Sequence, residues 1–457
     1  MVRIAKLPAD KKFPQLGLLT DMNAARRFFQ IRLPAFESGQ LEITYIKMLR
    51  YRYLPGQNAW ICYEMQITDH GTGEKGKQIF FGYLDLANEA YQMYRRALER
   101  PLLTPKYGPG LYFFPDFDMV MWGFPNDPKL PRLQRMLDES TFRKVMHEYR
   151  EQFHIPAELS VDTLKIKIVK YVPQTRCTLR YDYTLSDGSH HRMYGKIFGR
   201  RVNAGIIYNT TKSLWDSEMS RRRQVLVPEP LLFVPEWNAL FMSDLQGINM
   251  DERLDEIDLE KICAETGAIL AGMQQVDIGG LTERSDRQTM FQVVKSQDTL
   301  SKFDARFTTR VDAITEKLLA QMPTLPQLPE RPIHGAFRLS QVLLVEQQLA
   351  LIDFDAFLNG NPVYDVASFV AHLMYLPLRD KITEPQAMRA INAFCDAYRE
   401  NAPWGLPADV LHWQVAALLM GKQAKKCIKM AKKNYDEMID QLLEMSEKVL
   451  DEKIKLI

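Results

Sequence analysis

Residues 176–185 read RCTLRYDYTL, placing Cys177, Leu179, Tyr181 and Tyr183 on one side of an extended chain and Thr178, Arg180, Asp182 and Thr184 on the other. This period of two predicts a half-buried strand. The same alternation runs through Ala59, Ile61, Tyr63, Met65 and Ile67 against Trp60, Cys62, Glu64 and Gln66. Both strands belong to longer stretches that match each other. IKMLRYRYLPGQNAWICYEMQIT at 46–68 pairs with LKIKIVKYVPQTRCTLRYDYTLS at 164–186, setting Tyr53, Pro55 and Tyr63 beside Tyr171, Pro173 and Tyr181. Each stretch continues into a short strand (IFFGYL at 79–84, RMYGKI at 192–197) and then a helical segment. GLYFFPDFDMVMW at 110–122 then matches PLLFVPEWNALFM at 230–242, and LDESTFRKVM at 137–146 matches LDEIDLEKIC at 254–263. A unit of about 105 residues, five strands and two helices, is predicted to occur twice.

The closing helix of the second unit is amphipathic, with Leu259, Ile262, Cys263, Thr266, Ile269, Leu270 and Met273 at helical spacing. From about residue 280 the pattern is mainly helical, with one interruption. There VLLV (342–345) and LALI (349–352) flank Glu346, Gln347 and Gln348, which predicts a small hairpin. The hairpin sets the loop HGAFRLSQ, ending at Gln341, against Asp353, Phe354 and Asp355. Carboxylates directly after a buried strand and facing such a loop are suited to a hard cation such as Mg2+.

Composition narrows the class. The 457 residues are 46% hydrophobic and 25% charged, which excludes disordered, collagen-like and disulfide-scaffold chains. The 59 basic residues against 57 acidic ones leave +2, so bulk charge gives no reason to expect nucleic acid. No apolar run is long enough to span a bilayer. The opening MVRIAKLPADKKF has no secretory pattern, and Cys62, Cys177, Cys263, Cys395 and Cys427 are odd in number and scattered. Together these point to a cytoplasmic protein with reduced thiols.

The segment 331–374 resembles the catalytic core of the aminoglycoside phosphotransferase family, within the protein-kinase-like superfamily. The residues that carry the resemblance are Ile352-Asp353-Phe354 and the set Gly360, Pro362, Asp365, Val366 and Ala367. Upstream, Lys196 in MYGKIF stands where that family has its nucleotide-phosphate lysine. FMSDLQG at 241–247 looks like the lobe-joining segment whose backbone meets adenine. The resemblance, over about residues 160–400, implies an α+β fold: a bilobal protein-kinase-like body with a mainly helical C-lobe. Combined with the repeat it implies a duplicated, degenerate N-lobe over 1–155, a kinase-like N-lobe over 156–250 and the C-lobe over 251–457. It also implies ATP with Mg2+, held by Lys196, by Met242, Ser243 and Leu245, and by Asp353 and Gln341 as metal ligands. In the family, His334 and Asp365 have structural roles.

The chain departs from that pattern where the chemistry is done. Ala336 replaces the base aspartate and Gln341 the metal-binding asparagine. In phosphoryl transfer that aspartate orients the attacking hydroxyl and accepts its proton, which a methyl group cannot do. No Glu lies between Ile197 and Ser217 to pair with Lys196, leaving Glu218 at the far end, and the turn VPQTRC after Tyr171 lacks glycine. These losses predict a nucleotide-binding protein of impaired catalysis, a pseudokinase or regulator. Two alternatives stand beside it. One is an active phosphotransferase or nucleotidyltransferase with a non-standard base, for which Asp355 is the candidate. The other is a nucleotide-free interaction scaffold.

The acceptor, small molecule or protein, is not named by the sequence. Arg338 is a candidate phosphate contact or a solvated charge. The first copy, with Tyr83 at the place of Lys196, is expected to pack as a cap or dimerising lobe. HEYREQFH at 147–154 reads as helix surface. Lys422, Lys425, Lys426, Lys429, Lys432 and Lys433 are predicted to form one solvated basic helical face rather than a site for membrane or RNA, with Arg221, Arg222 and Arg223 as a second basic point.

Overall fold

The computed structural model describes residues 10–86, 88–429 and 434–457. The chain forms two compact units, one mainly of the first 190 residues with 195–202, the other mainly of 203–425 with 436–457. The architecture is α+β.

The first unit opens with helices α1 (Leu16–Thr20) and α2 (Met22–Arg32). Asp21 caps α2, its carboxylate accepting the N–H groups of Asn23 and Ala24. Strands β1 (Leu41–Leu54), β2 (Asn58–Asp69) and β3 (Lys75–Asp85), helix α3 (Glu89–Leu98), and strands β4 (Leu111–Phe114) and β5 (Met119–Gly123) follow. The strands form an antiparallel sheet of order β1-β2-β3-β5-β4. Ile61, Tyr63, Met65 and Ile67 are buried on one face, as their alternation predicts. Cys62, assigned by alternation to the polar face, is fully buried too. Helix α3 covers that side, packing against Phe81, Val120 and Trp122.

Next come α4 (Leu133–Leu137), α5 (Glu139–Glu148), β6 (Val161–Val172), β7 (Arg176–Leu185) and β8 (His190–Phe198). The two runs share several hydrogen bonds at corresponding positions. Asp10 accepts the Tyr53 hydroxyl and the N–H groups of Gly56 and Lys12; Asp127 accepts the Tyr171 hydroxyl and the N–H groups of Gln174 and Lys129. Tyr63 donates to the Leu19 carbonyl at 2.7 Å and Tyr181 to the Met136 carbonyl at 2.9 Å. Arg26 reaches the carbonyl of Ile43 at 3.1 Å and Arg143 that of Val161 at 2.6 Å. Strand β1 bulges between Ile43 and Tyr45, and β6 between Val161 and Thr163.

LDESTFRKVM is α5, which stands before β6 as α2 stands before β1, and Asp138 caps it as Asp21 caps α2. In LDEIDLEKIC the helix begins at Leu259 and is capped by Asp258 rather than Asp255. HEYREQFH is likewise only partly helical, since α5 ends at Glu148 and His154 sits in a turn with φ +55°.

The second unit continues with α6 (Ala204–Trp215), α7 (Glu218–Arg221), β9 (Pro230–Val234), β10 (Ala239–Ser243), β11 (Ile248–Asn249) and α8 (Leu259–Met273). A 3₁₀ turn opened by proline precedes β5 (Pro115–Phe117) and β10 (Pro235–Trp237), each closed by a left-handed residue, Asp118 and Asn238. Then come β12 (Glu283–Arg284), α9 (Asp286–Phe303), α10 (Thr308–Gln321), β13 (Arg331–Ile333), β14 (Val342–Val345), β15 (Gln348–Leu351) and β16 (Leu358–Gly360). Helices α11 (Val363–Tyr375), α12 (Glu384–Asn401) and α13 (Ala408–Leu418) follow, and a π-helical segment, Leu419–Ala424, leads into α14 (Lys425–Lys429), with α15 (Tyr435–Leu450) last. Every residue of α11 is buried, which makes it the core of this unit. Helix α8 approaches α12 at Gly267, where a Cβ would lie 2.3 Å from the Phe394 carbonyl oxygen. Two small sheets, β11-β14-β15 and β12-β16-β13, sit among the helices. Among the described residues no helix is long and apolar enough to cross a membrane.

Candidate nucleotide and metal site

The hairpin predicted from VLLV and LALI is present: Val342 pairs with Leu351 and Val345 with Gln348. Its turn is made by Glu346 at φ +56°. The Ile352 N–H donates to the Gln341 carbonyl at 3.0 Å, closing the open end of the hairpin. Gln341 and Asp353 are thereby brought to the same place. Asp353 follows in the left-handed region at φ +70° and opens a 3₁₀ turn, Phe354–Ala356. A non-glycine residue held there carries backbone strain of order 1–3 kcal/mol, which persists only where the surroundings impose it. The surroundings do so through Phe354 and Phe357, which pack on the His334 ring at centroid distances of 5.6 and 6.0 Å.

His334 is fully buried, with Nε2 3.1 Å from the Ile352 carbonyl oxygen. Its backbone N–H and that of Gly335 donate to the two carboxylate oxygens of Asp365. Both residues are structural, as the resemblance implies. Burial raises the pKa of Asp365, while the His334 ring, these two N–H groups and Lys422 act in the opposite sense. Gly335 adopts φ +73°, and a Cβ there would meet the Ala356 carbonyl oxygen at 2.2 Å. The next residue is Ala336, partly exposed, and nothing acidic follows it in the loop. Asp355 is partly exposed on the 3₁₀ turn. Gln341 is 3% exposed, and its side-chain oxygen has no hydrogen-bond partner.

Met242, Ser243 and Leu245 are partly exposed at the end of β10 and just beyond it. The amide of Ser243 donates to the Glu229 carbonyl at 3.0 Å, and its hydroxyl accepts the Glu229 N–H at 2.9 Å. The segment then runs into β11, whose Ile248 and Asn249 pair with Leu344 and Leu343 of the hairpin. The Asn249 side chain also donates to the Ser340 carbonyl at 2.9 Å. The segment 241–249 is thus tied to the loop that carries Gln341.

Lys196 is buried on β8 and belongs to the first unit. Glu218 is exposed and paired with Arg222. The β6–β7 turn commits the Gln174 N–H to Asp127 at 2.8 Å, so that donor is turned to a protein carboxylate. Desolvation raises the pKa of Asp127, and its hydrogen bonds lower it.

The basic face predicted along the C-terminal helix is broken at its start. A π turn shifts the register, because its longer i→i+5 repeat rotates the following side chains. Lys422 therefore points inward, its Nζ 3.3 Å from the Ser368 hydroxyl, and Lys425 donates to the Lys295 carbonyl at 3.2 Å. The side chain of Lys429, and Lys432 and Lys433 entirely, lie outside the described residues. Lys422, Arg284, Tyr364 and Asp127 were not singled out as site residues. Their partners are far away in sequence, and only the Asp-x-Lys spacing shared by Asp10 and Asp127 hinted at one of them.

Residues 217–408 match the phosphotransferase enzyme family. No curated protein matches the chain with significance. Among solved structures the chain is similar to a choline/ethanolamine kinase family protein from Mesorhizobium loti, at 12% identity and TM-score 0.45, over 67% of this chain and 95% of that one. It is similar to a thermostable aminoglycoside phosphotransferase mutant in a ternary complex with ADP and hygromycin B, at 11% identity and TM-score 0.45, over 67% and 97%. A glucosamine kinase is similar at 12% identity and TM-score 0.43, over 94% of this chain and 100% of that one. The resemblance to the aminoglycoside phosphotransferase family, read from the sequence, holds across the segment the family matches.

Proposed function

We propose that this phosphotransferase-type protein binds ATP with Mg2+ and is impaired in phosphoryl transfer, acting as a pseudokinase or regulator. The observation that carries the reading is the buried side-chain oxygen of Gln341, without a protein partner, on a residue bonded through its carbonyl to the strand end that presents Asp353. A carboxylate and an amide oxygen are the donors a hard cation takes, so these residues fit Mg2+. Mg2+, when bound, would neutralise charge on the nucleotide phosphates. Lys196 would hold a phosphate, and Met242, Ser243 and Leu245 would line the base.

Ala336 supplies no proton acceptor, and loss of a general base lowers turnover about 10²- to 10⁴-fold. The twin hydrogen-bond sets around Asp10 and Asp127 support reading the N-terminal run as a degenerate copy of the lobe that follows, serving as a cap or dimerising lobe.

The test is a thermal-shift titration with ATP, with and without Mg2+, on wild type, Lys196→Ala and Asp353→Ala. Ligand at a hundredfold its Kd adds about 2.7 kcal/mol, a rise of a degree or more. A Mg2+-dependent rise lost in both variants is the expected result. No rise up to millimolar ATP would overturn the reading in favour of a nucleotide-free scaffold. Product formation that Asp353→Ala abolishes would favour an active transferase instead.

A further inference from the structure

Three cations gather at the loop that carries Ala336, drawn from elements far apart in sequence. Arg284 ends β12, Arg338 lies in the loop itself, and Lys422 sits on the π turn. Tyr364 is common to two of them: the Arg284 guanidinium carbon is 4.3 Å from its ring centroid and Lys422 Nζ 5.9 Å. Desolvation and then the charge of Arg338 press the Lys422 pKa down to about 8; Asp365 pulls it up, and Arg284 adds the smallest downward push.

The carboxylate that acts on Lys422 is Asp365. Asp365 already uses both oxygens on the N–H groups of His334 and Gly335. Among the described residues none of the three cations is salt-bridged, and Arg284 and Arg338 each bury an Nε–H that has no acceptor. Arg284 does donate once, to the Thr289 hydroxyl at 3.1 Å. Like charges assembled with buried, unsatisfied donors are unfavourable unless an anion completes the site. Guanidinium groups match the planar or tetrahedral oxygens of carboxylate and phosphate, and an ammonium adds a point charge. Arg284 also borders a cleft of about 420 Å³, lined in part by Arg287 and Asn361 and by the carboxylates Asp286 and Glu330, which has room for the remainder of a small molecule of mixed polarity.

We propose that Arg284, Arg338 and Lys422 form an oxyanion-binding site that takes the phosphate or carboxylate group of a small molecule beside the Ala336 loop. This names the class of second ligand for the nucleotide protein proposed above, and its role rests on that reading. The site itself does not.

The test is calorimetric titration of the full chain with inorganic phosphate and, separately, acetate, at constant ionic strength. Wild type, Arg338→Gln, Lys422→Met and Arg389→Gln, whose residue lies on α12 paired with Glu260, are compared. Saturable binding in wild type and Arg389→Gln, weakened roughly ten- to hundredfold in the other two, is the expected result. Arg338→Lys, which keeps the charge and loses the fork, is expected to fall between, and covers a folding failure of Arg338→Gln. Binding of phosphate alone assigns a phosphate-bearing ligand, and binding of acetate with the same residue dependence assigns a carboxylate. Absence of saturable binding of either anion, or equal affinity in all variants, overturns the proposal. MgADP titrated into phosphate-saturated protein separates the two readings. Simultaneous binding supports a second-ligand site, and mutual exclusion overturns it by giving the cations to the nucleotide. Phosphate binding without any MgADP binding sinks the nucleotide reading and leaves the oxyanion site standing.

Discussion

Asp365 receives the backbone N–H of His334, 31 residues earlier in the chain, on one carboxylate oxygen, while its other oxygen holds the N–H of Gly335. This carboxylate has no exposed surface; burial raises its pKa, and the two N–H groups act against that rise. Asp365→Ala removes two charge-assisted hydrogen bonds and leaves two donors buried. A loss of about 3 kcal/mol or more is expected from urea denaturation. Asp365→Asn restores only one acceptor and is expected to lose less. If Asp365→Ala were as stable as wild type, the carboxylate would not be what holds the loop.

Gly335 is the residue this loop cannot replace. At φ +73° an alanine is strained by about 1–2 kcal/mol, and its Cβ would also sit 2.2 Å from the Ala356 carbonyl oxygen. The 3₁₀ turn that presents Asp353 and Asp355 would have to move. Gly335→Ala is therefore expected to lower Tm and to weaken the Mg2+-dependent response to ATP. Gly405→Ala, also at positive φ but with nothing within 4 Å of the added Cβ, is expected to lower Tm only. Equal effects on the ATP response in both variants would show that the clash at Ala356 is immaterial.

The paired aspartate latches differ in depth, and their costs should differ accordingly. Asp127 is buried, whereas Asp10 is partly exposed and water can replace what it loses. Tyr171→Phe leaves a buried carboxylate short of a donor and is expected to cost about 1.5–3 kcal/mol, and Tyr53→Phe under about 1 kcal/mol. Denaturant midpoints of the two variants check the order. The reverse order would mean that the N-terminal latch is the stronger one.

The strands were legible because an alternating face survives even where both sides become buried, as at Cys62. The hairpin that brings Gln341 and Asp353 together was legible as well, because these residues and Asp365 stand in short contiguous motifs whose spacing is fixed by one hairpin and one helix start. The match between LDESTFRKVM and LDEIDLEKIC rests on a capping aspartate, and any helix start can offer one, so Asp138 resembles Asp21 and Asp255 equally well. The cation cluster could not be read at all. Arg284, Arg338 and Lys422 are 54 and 84 residues apart, and Lys422 turns inward only because a π turn interrupts a helix whose sequence keeps an ordinary helical pattern. Helical spacing put it on a solvated face, and the register shift removed it from one.

Lys422 should be destabilising in the free protein. Its folded pKa, pressed to about 8 from an ordinary 10.5, means that the folded state binds this proton less tightly than the unfolded chain. Below pH 8 the side chain is charged in both states, and folding bears the full desolvation and repulsion. Between pH 8 and 10.5 the unfolded chain holds more protons, so stability from this group rises with pH and the penalty is gone above 10.5. Lys422→Met, of similar length and without charge, is expected to be more stable than wild type at neutral pH by about 1–3 kcal/mol, with the gap closing toward about pH 10. Saturating phosphate should narrow the gap at neutral pH, because only wild type has the complete oxyanion site. Urea midpoints of both proteins at the two pH values, with and without phosphate, measure all of this. A gap that is absent at neutral pH, or unchanged by pH, would place Lys422 in a solvated setting after all.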